Sequence, residues 1–228
     1  MSPTSRTTAA TDTSSRRPRP HPSTTVLLVR HGQTATTGKV LPGRAKGLHL
    51  ADTGRGQAER VAERIGELTV AAVYSSPLER ARETAAPIAA AAGTKVKVDR
   101  GLIECDFGEW TGAQLGALMK RPEWRTVQQA PSTFRFPGGE SFPEMQYRIT
   151  GALDRLRREH AGATIVCVSH ADPIKAAIAQ ALGTPLDLFQ RIVINTCSVS
   201  AITWLGGGPP IVLAVNSTGA SLKELTPA

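Results

Sequence analysis

The chain has 228 residues, with 27 Lys and Arg against 19 Asp and Glu for a net charge of +8, and three Cys. One domain is the expectation at this length. An apolar content of 40%, with no apolar run near the roughly 18 residues of a membrane span, excludes membrane-spanning and collagen-like classes and predicts a soluble globular protein. The positive balance suits nucleic acid, an anionic surface or a phosphorylated substrate, and composition does not choose among them.

Residues 1–24 carry Arg6, Arg16, Arg17 and Arg19 against Asp12, a local +3 that leaves +5 to the rest. This Ser-, Thr-, Pro- and Arg-rich segment has little to bury and is expected to be a disordered basic tail. It lacks the apolar h-region of a secretory signal and the amphipathic apolar residues of a transit peptide. The folded domain is therefore assigned to residues 25–228. Thr25 to Val29 reads as a buried strand. Asp52 caps a helix through Leu68, whose Ala58, Val61, Ala62, Ile65 and Leu68 share one face. A strand at Val70 to Tyr74 follows, then a helix opened by Ser75-Ser76-Pro77 and running to about Ala92, with Pro77 in its first turn. Val96 to Val98 is a short strand.

Between Gly101 and Gly139 the periodicity weakens to one helix near Gln114 to Met119 and a Pro- and Trp-containing loop, predicting a lobe over the sheet. A helix from Pro143 to His160, a strand from Thr164 to Val168 and a helix from Pro173 to Leu182 come next. Strands near Ser198 to Trp204 and Ile211 to Val215 flank the turn Gly206-Gly-Gly-Pro-Pro210. The alternation predicts an α/β three-layer sandwich, a mainly parallel sheet with helices on both faces.

In such sheets ligands bind beyond the carboxyl ends of the strands. Three strand exits carry matching chemistry: Arg30-His31-Gly32, Ser75-Ser76-Pro77-Leu78-Glu79-Arg80, and Ser169-His170. A lone His is more often a hydrogen-bonded core residue than a catalyst, but two on one rim with two Arg describe a phosphoryl pocket. Arg80, near a helix N-terminus, points into the rim, while Arg82 belongs to the surface. A neutral imidazole attacks phosphorus in line, the second His and both Arg steady the equatorial oxygens, and no metal or cofactor is called for. A carboxyl must protonate the leaving oxygen and then activate water. Glu104 is the candidate, Asp106 competes with it, and Glu109 is more distant.

These segments, with Asp106-Phe107-Gly108-Glu109-Trp110 and Gly139-Glu140-Ser141, resemble the histidine phosphatase superfamily, the phosphoglycerate mutase-like proteins, in its compact phosphatase branch. The likeness spans about Thr25 to Val215. It implies His31 as the phosphorylated nucleophile, Arg30, Arg80 and His170 as the phosphate pocket, and Glu104 as proton donor. Two positions depart from the pattern: Thr37 stands where the family usually has Asn, and Ala171 follows the second His in place of Gly. Thr37 still offers one hydrogen bond to phosphate. Gln33, and Arg44 and Lys46 of a basic loop, are candidates for substrate contact, against the plainer reading of that loop as solvated surface.

The expected activity is hydrolysis of a small phosphorylated metabolite. A bisphosphoglycerate-dependent mutase and a non-enzymatic phosphate-binding regulatory domain are the alternatives. A mutase is disfavoured because the lobe lacks a basic cluster for phosphoglycerate, despite Lys120, Arg121 and Arg125. Nucleic-acid binding is disfavoured because no aromatic residue interleaves the basic tail. Three widely spaced Cys without a CxxC pattern suit a reducing cytoplasm. The apolar C-terminal strands offer an edge for a homodimer.

Overall fold

The computed structural model describes residues 23–219. Most of the segment expected as a basic tail lies outside them. Its last two residues do not: Ser23 and Thr24 open β1 (Ser23–Arg30), pairing with Leu205 and Trp204. The remaining strands are β2 (Val70–Ser75), β3 (Val96–Val98), β4 (Thr164–Ser169), β5 (Val199–Leu205) and β6 (Pro210–Ser217). They form one sheet in the order β3-β2-β4-β1-β5-β6. The first four run parallel, β5 is antiparallel to β1, and β6 is antiparallel to β5.

Strand β1 shows why this sheet needs cover on both sides. Its residues alternate across the pleat: Val26 and Leu28 enter one apolar cluster, Leu27 and Val29 the other. Both sets are fully buried. On the Leu27 side lie α1 (Asp52–Ile65) and α2 (Glu79–Ala91), which present Val61, Ile65, Ala85 and Ile88. On the other side lie α5 (Phe142–Glu159) and α6 (Ala171–Ala181). The three expected layers are present.

The lobe between β3 and α5 differs from the sequence reading. It holds α3 (Leu115–Leu118), shorter than expected, and α4 (Pro122–Gln129), where a loop was expected. Pro122 occupies the first turn, where a missing N–H costs nothing. It starts a helix within the stretch expected as a Pro- and Trp-containing loop. Trp110 stacks on Trp124, meets Phe134 at a tilt and Phe136 edge-on, and Phe136 continues to Phe142, which meets Phe189. This aromatic chain fastens the lobe to α5.

Three helix starts also shift. Asp52 is the first residue of α1 and not its cap; Ala51 holds that position, and the Asp52 carboxylate pairs with Arg55. Pro77 precedes α2, because Leu78 keeps an extended backbone with ψ 143°. Helix α6 begins two residues before Pro173, at Ala171, immediately after His170.

Candidate active site

Strands β2, β4 and β1 are adjacent, so their carboxyl ends share one stretch of rim. Register closes the distance further. Arg30 is level with Ser169 and Ser75 with Val168, and backbone bonds run from His31 N–H to the Ser169 carbonyl (3.0 Å) and from Ser76 N–H to that of Val168 (2.9 Å). The loop carrying His31 is pressed against α1 where only glycine fits. A Cβ on Gly32 would lie 2.6 Å from the Gly54 carbonyl oxygen, and one on Gly54 2.0 Å from that of Gln33.

The two imidazoles sit with ring centroids 5.1 Å apart. His31 donates from Nδ1 to the Gly32 carbonyl at 2.8 Å. That bond fixes the proton on Nδ1 and puts the ring's lone pair on Nε2. Arg80 reaches the same Nε2 through its Nε–H at 3.3 Å, and donates from Nη2 to the Gly43 carbonyl at 2.8 Å. As expected, Arg80 is fully buried, whereas Arg82 is exposed. His170 pairs through Nε2 with the Ser76 hydroxyl at 2.7 Å. That hydroxyl also accepts from Leu78 N–H (3.4 Å) and keeps its own proton to give; the tautomer in which Nε2 accepts that proton carries the imidazole proton on Nδ1.

Burial pushes both imidazoles well below the ordinary histidine range, and the Arg80 and Arg30 charges push the same way. Both rings are therefore neutral at pH 7. Burial also lowers Arg30 and Arg80, partly offset by the Glu104 charge. Arg30 is held by its Nη1–H bond to the Ile194 carbonyl at 2.6 Å.

Glu104 is buried at 6% exposure, with Oε2 4.0 Å from His170 Nδ1 and Oε1 accepting from Cys105 N–H at 2.9 Å. Burial, reinforced by the neighbouring Asp172 charge, raises its carboxyl to about 7 against the pull of Arg80, Arg30 and the Cys105 N–H. A carboxyl poised there can give and take a proton at neutral pH. Asp106 does not share that environment. Its carboxylate faces Arg44 at 3.2 Å and accepts from Gly108 N–H at 3.0 Å. Glu109 is exposed on a 3-10 turn.

A cleft of about 200 Å³ opens on this group, with Arg30, His31, Thr34, Thr37, Glu104 and Asp172 in its wall. Thr37 thus borders the pocket, with its hydroxyl accepting from Thr34 N–H at 2.9 Å. The other substrate candidates are placed elsewhere. Gln33 is exposed and is held to α1 through backbone bonds with Gln57 and Ala51. Lys46 is exposed outside the cleft wall.

Arg44 is half-buried and is not in the cleft wall. Its Nε–H bonds the Glu104 carbonyl at 2.9 Å, and its guanidinium meets Asp106 at 3.2 Å and Glu140 at 2.9 Å. Opposite carboxylates hold it behind Glu104. Glu140 also binds Arg148 through both oxygens, at 2.9 and 3.0 Å. Arg148 in turn reaches the carbonyls of Gly101, Ile103 and Glu104. Two guanidiniums and one carboxylate thus clamp the segment that presents Glu104. The sequence reading assigned no role to Glu140, Arg148, Ser76 or Asp172. Glu140 and Ser76 lay inside quoted motifs, and Arg148 carried no signal at all.

Three buried donors converge here without a hydrogen-bond partner among the described residues: Arg30 Nε, Arg80 Nη1 and His170 Nδ1. They stand beside a neutral imidazole and a carboxyl near neutrality, and α6 starts with its N–H end next to His170. Such a constellation defines a phosphoryl-binding site. The family model of the histidine phosphatase superfamily (branch 1) matches residues 26–217, and the chain belongs to that superfamily. It is 35% identical over 207 residues to a bifunctional protein of Mycobacterium tuberculosis, covering 86% of this chain and 54% of that protein, so it spans about half the length of that relative. It is 33% identical over 182 residues to phosphoserine phosphatase 1 of Hydrogenobacter thermophilus, covering 78% and 85% of the two chains. Among solved structures, a mycobacterial glucosyl-3-phosphoglycerate phosphatase superposes with TM-score 0.77 at 25% identity, covering 86% of this chain and 99% of that one.

Proposed function

We propose that the protein is a phosphoric monoester hydrolase working through a phosphohistidine on His31. The observation that carries this reading is the set of buried, unpartnered donors on Arg30, Arg80 and His170 around the Nε2 of a neutral His31. In the first step Nε2 attacks phosphorus, the bond from phosphorus to the ester oxygen breaks, and Glu104 gives its proton to the departing alkoxide. In the second step the Glu104 carboxylate takes a proton from water as the oxygen attacks phosphorus. The N–P bond breaks, releasing inorganic phosphate and restoring both groups. Arg30, Arg80 and the His170 Nδ1–H hold the equatorial oxygens, with Thr37 contributing one hydroxyl.

Side chains supply every charge and proton in this scheme, so we place no metal or cofactor in it. A cytoplasmic location fits the three buried free thiols of Cys105, Cys167 and Cys197. Among the described residues no helix is long and apolar enough to cross a membrane. The β6 edge, where Ile211 and Val215 are exposed, keeps a homodimer in view, which sedimentation velocity reads directly.

The test is single-turnover reaction with a ³²P-labelled ester followed by alkaline quench. Acid-labile label on the protein, together with phosphate release, is expected for wild type, and both vanish in His31→Ala. Release that persists in the variant removes His31 from the mechanism. Isomerisation of 3-phosphoglycerate with added bisphosphoglycerate that outruns release replaces hydrolysis by a mutase reaction.

A further inference from the structure

Beyond the catalytic cleft lies a second chamber of about 210 Å³ under the lobe. The two have Leu41, Phe107 and Asp172 in common, so the second adjoins the first. The catalytic cleft has an apolar wall of Val40, Leu41, Pro42, Phe107 and Leu115. The second chamber adds Trp124, Val127, Phe136 and Phe142. Its cation, Lys175, is engaged: Nζ bonds Asp172 Oδ1 at 3.2 Å and Gln190 Oε1 at 3.0 Å. Arg30 and Lys175 are the only cations among the described residues that line either space, and Arg30 belongs to the phosphoryl group.

A leaving group that carried a carboxylate would therefore approach the Asp172 and Glu104 carboxyls with no uncommitted cation to meet it. A leaving group with an apolar ring would instead cover Phe107 and Trp124 and lose its water to the aromatic wall. For a hydroxyl or amide the wall offers the side chain of Gln128 and the amide nitrogen of Gln190.

We propose that this second chamber seats the leaving group, and that the substrates are phosphate monoesters of uncharged alcohols bearing an apolar ring, not phosphorylated carboxylic acids. The proposal rests on the phosphatase reading above. It assigns the lobe a chemical preference, because binding energy gained there is used at the phosphorus centre.

The experiment compares kcat/KM for 2-phenylethyl phosphate, ethyl phosphate and 3-phosphoglycerate. All three expel an alkoxide, so the comparison reads mainly the chamber. Wild type is expected to prefer the phenylethyl ester over 3-phosphoglycerate by about a hundredfold. Val127→Phe, which fills the chamber, and Gln128→Trp, an exposed-position change that shades it without touching the core, should each cut the phenylethyl-to-ethyl ratio about tenfold. Equal turnover of 3-phosphoglycerate and the phenylethyl ester, or an unchanged ratio in the soluble Gln128→Trp variant, overturns the proposal and leaves hydrolysis standing. If no ester is hydrolysed and His31 takes no label, the phosphatase reading itself falls and the proposal with it.

Discussion

Replacing Glu104 by Gln separates stability from chemistry. The carboxyl titrates at about 7 in the folded protein against an ordinary value of 4.5, mainly because burial disfavours its charge. The folded state therefore holds a proton that the unfolded chain has released between those two values. Stability attached to this group is complete below pH 4.5 and is lost as pH rises through about 7. At ~1.4 kcal/mol per pH interval, the loss between pH 4 and pH 9 is on the order of 3 kcal/mol. Glu104→Gln keeps the bond from Cys105 N–H and carries no titrating charge. Urea unfolding of both proteins at pH 5 and pH 8.5 should show the variant gaining on wild type by roughly 2 kcal/mol as pH rises. Its kcat should fall by about 10²–10⁴ below pH 7, where wild-type Glu104 carries the proton for the leaving oxygen, and the gap should narrow as pH rises above that value. A stability difference that stays flat between the two pH values refutes the reasoning, because Glu104 would then titrate like an exposed carboxyl and would not be poised as an acid.

The same protonation states shape the rate. In wild type kcat should decline as pH climbs through about 7, where Glu104 loses its proton, and on the acid side only well below 6.5, where the buried His31 finally gains one; a pH–rate profile checks both limbs, and an acid limb at 6.5 or above would be wrong for this site. Arg148→Met takes the side-chain donor from the Gly101 and Ile103 carbonyls and leaves the Glu104 carbonyl and Glu140 with Arg44 alone of the two guanidiniums. At about one-fifth exposure of both side chains the expected loss is near ~3 kcal/mol in denaturant melts, with kcat reduced more than KM is raised. Gly54→Ala drives a methyl into the Gln33 carbonyl and should cost about 1–3 kcal/mol while displacing the His31 loop; a variant that melts and turns over like wild type would mean that this packing is dispensable.

Much of the architecture was legible because it is written in period and punctuation. The all-apolar runs of β1 and β4 announce strands buried on both faces, and the apolar stripe of α1 announces its inward side. His31, Arg80 and His170 were found because each leaves a strand or opens a helix at the end where parallel sheets bind ligands. Helix α4 was missed because Pro122 breaks a helix anywhere but in its first turn, and position within a turn is not a local property of the sequence. Arg44 was misplaced for a related reason: three carboxyl-side partners, at residues 104, 106 and 140, reach it only after the chain has folded back.

What the sequence determined, then, is the kind of sheet and the identity of the groups at its rim, because strand period, helix starts and residue chemistry are encoded within a few neighbouring positions. Only the tertiary structure decided how those groups are tuned. Burial brings Glu104 near neutrality and keeps both imidazoles uncharged, and Arg148, on its face indistinguishable from Arg155, Arg157 and Arg158, becomes part of the clamp behind Glu104. Burial and distance between residues far apart in the chain set those properties, and no local pattern carries them.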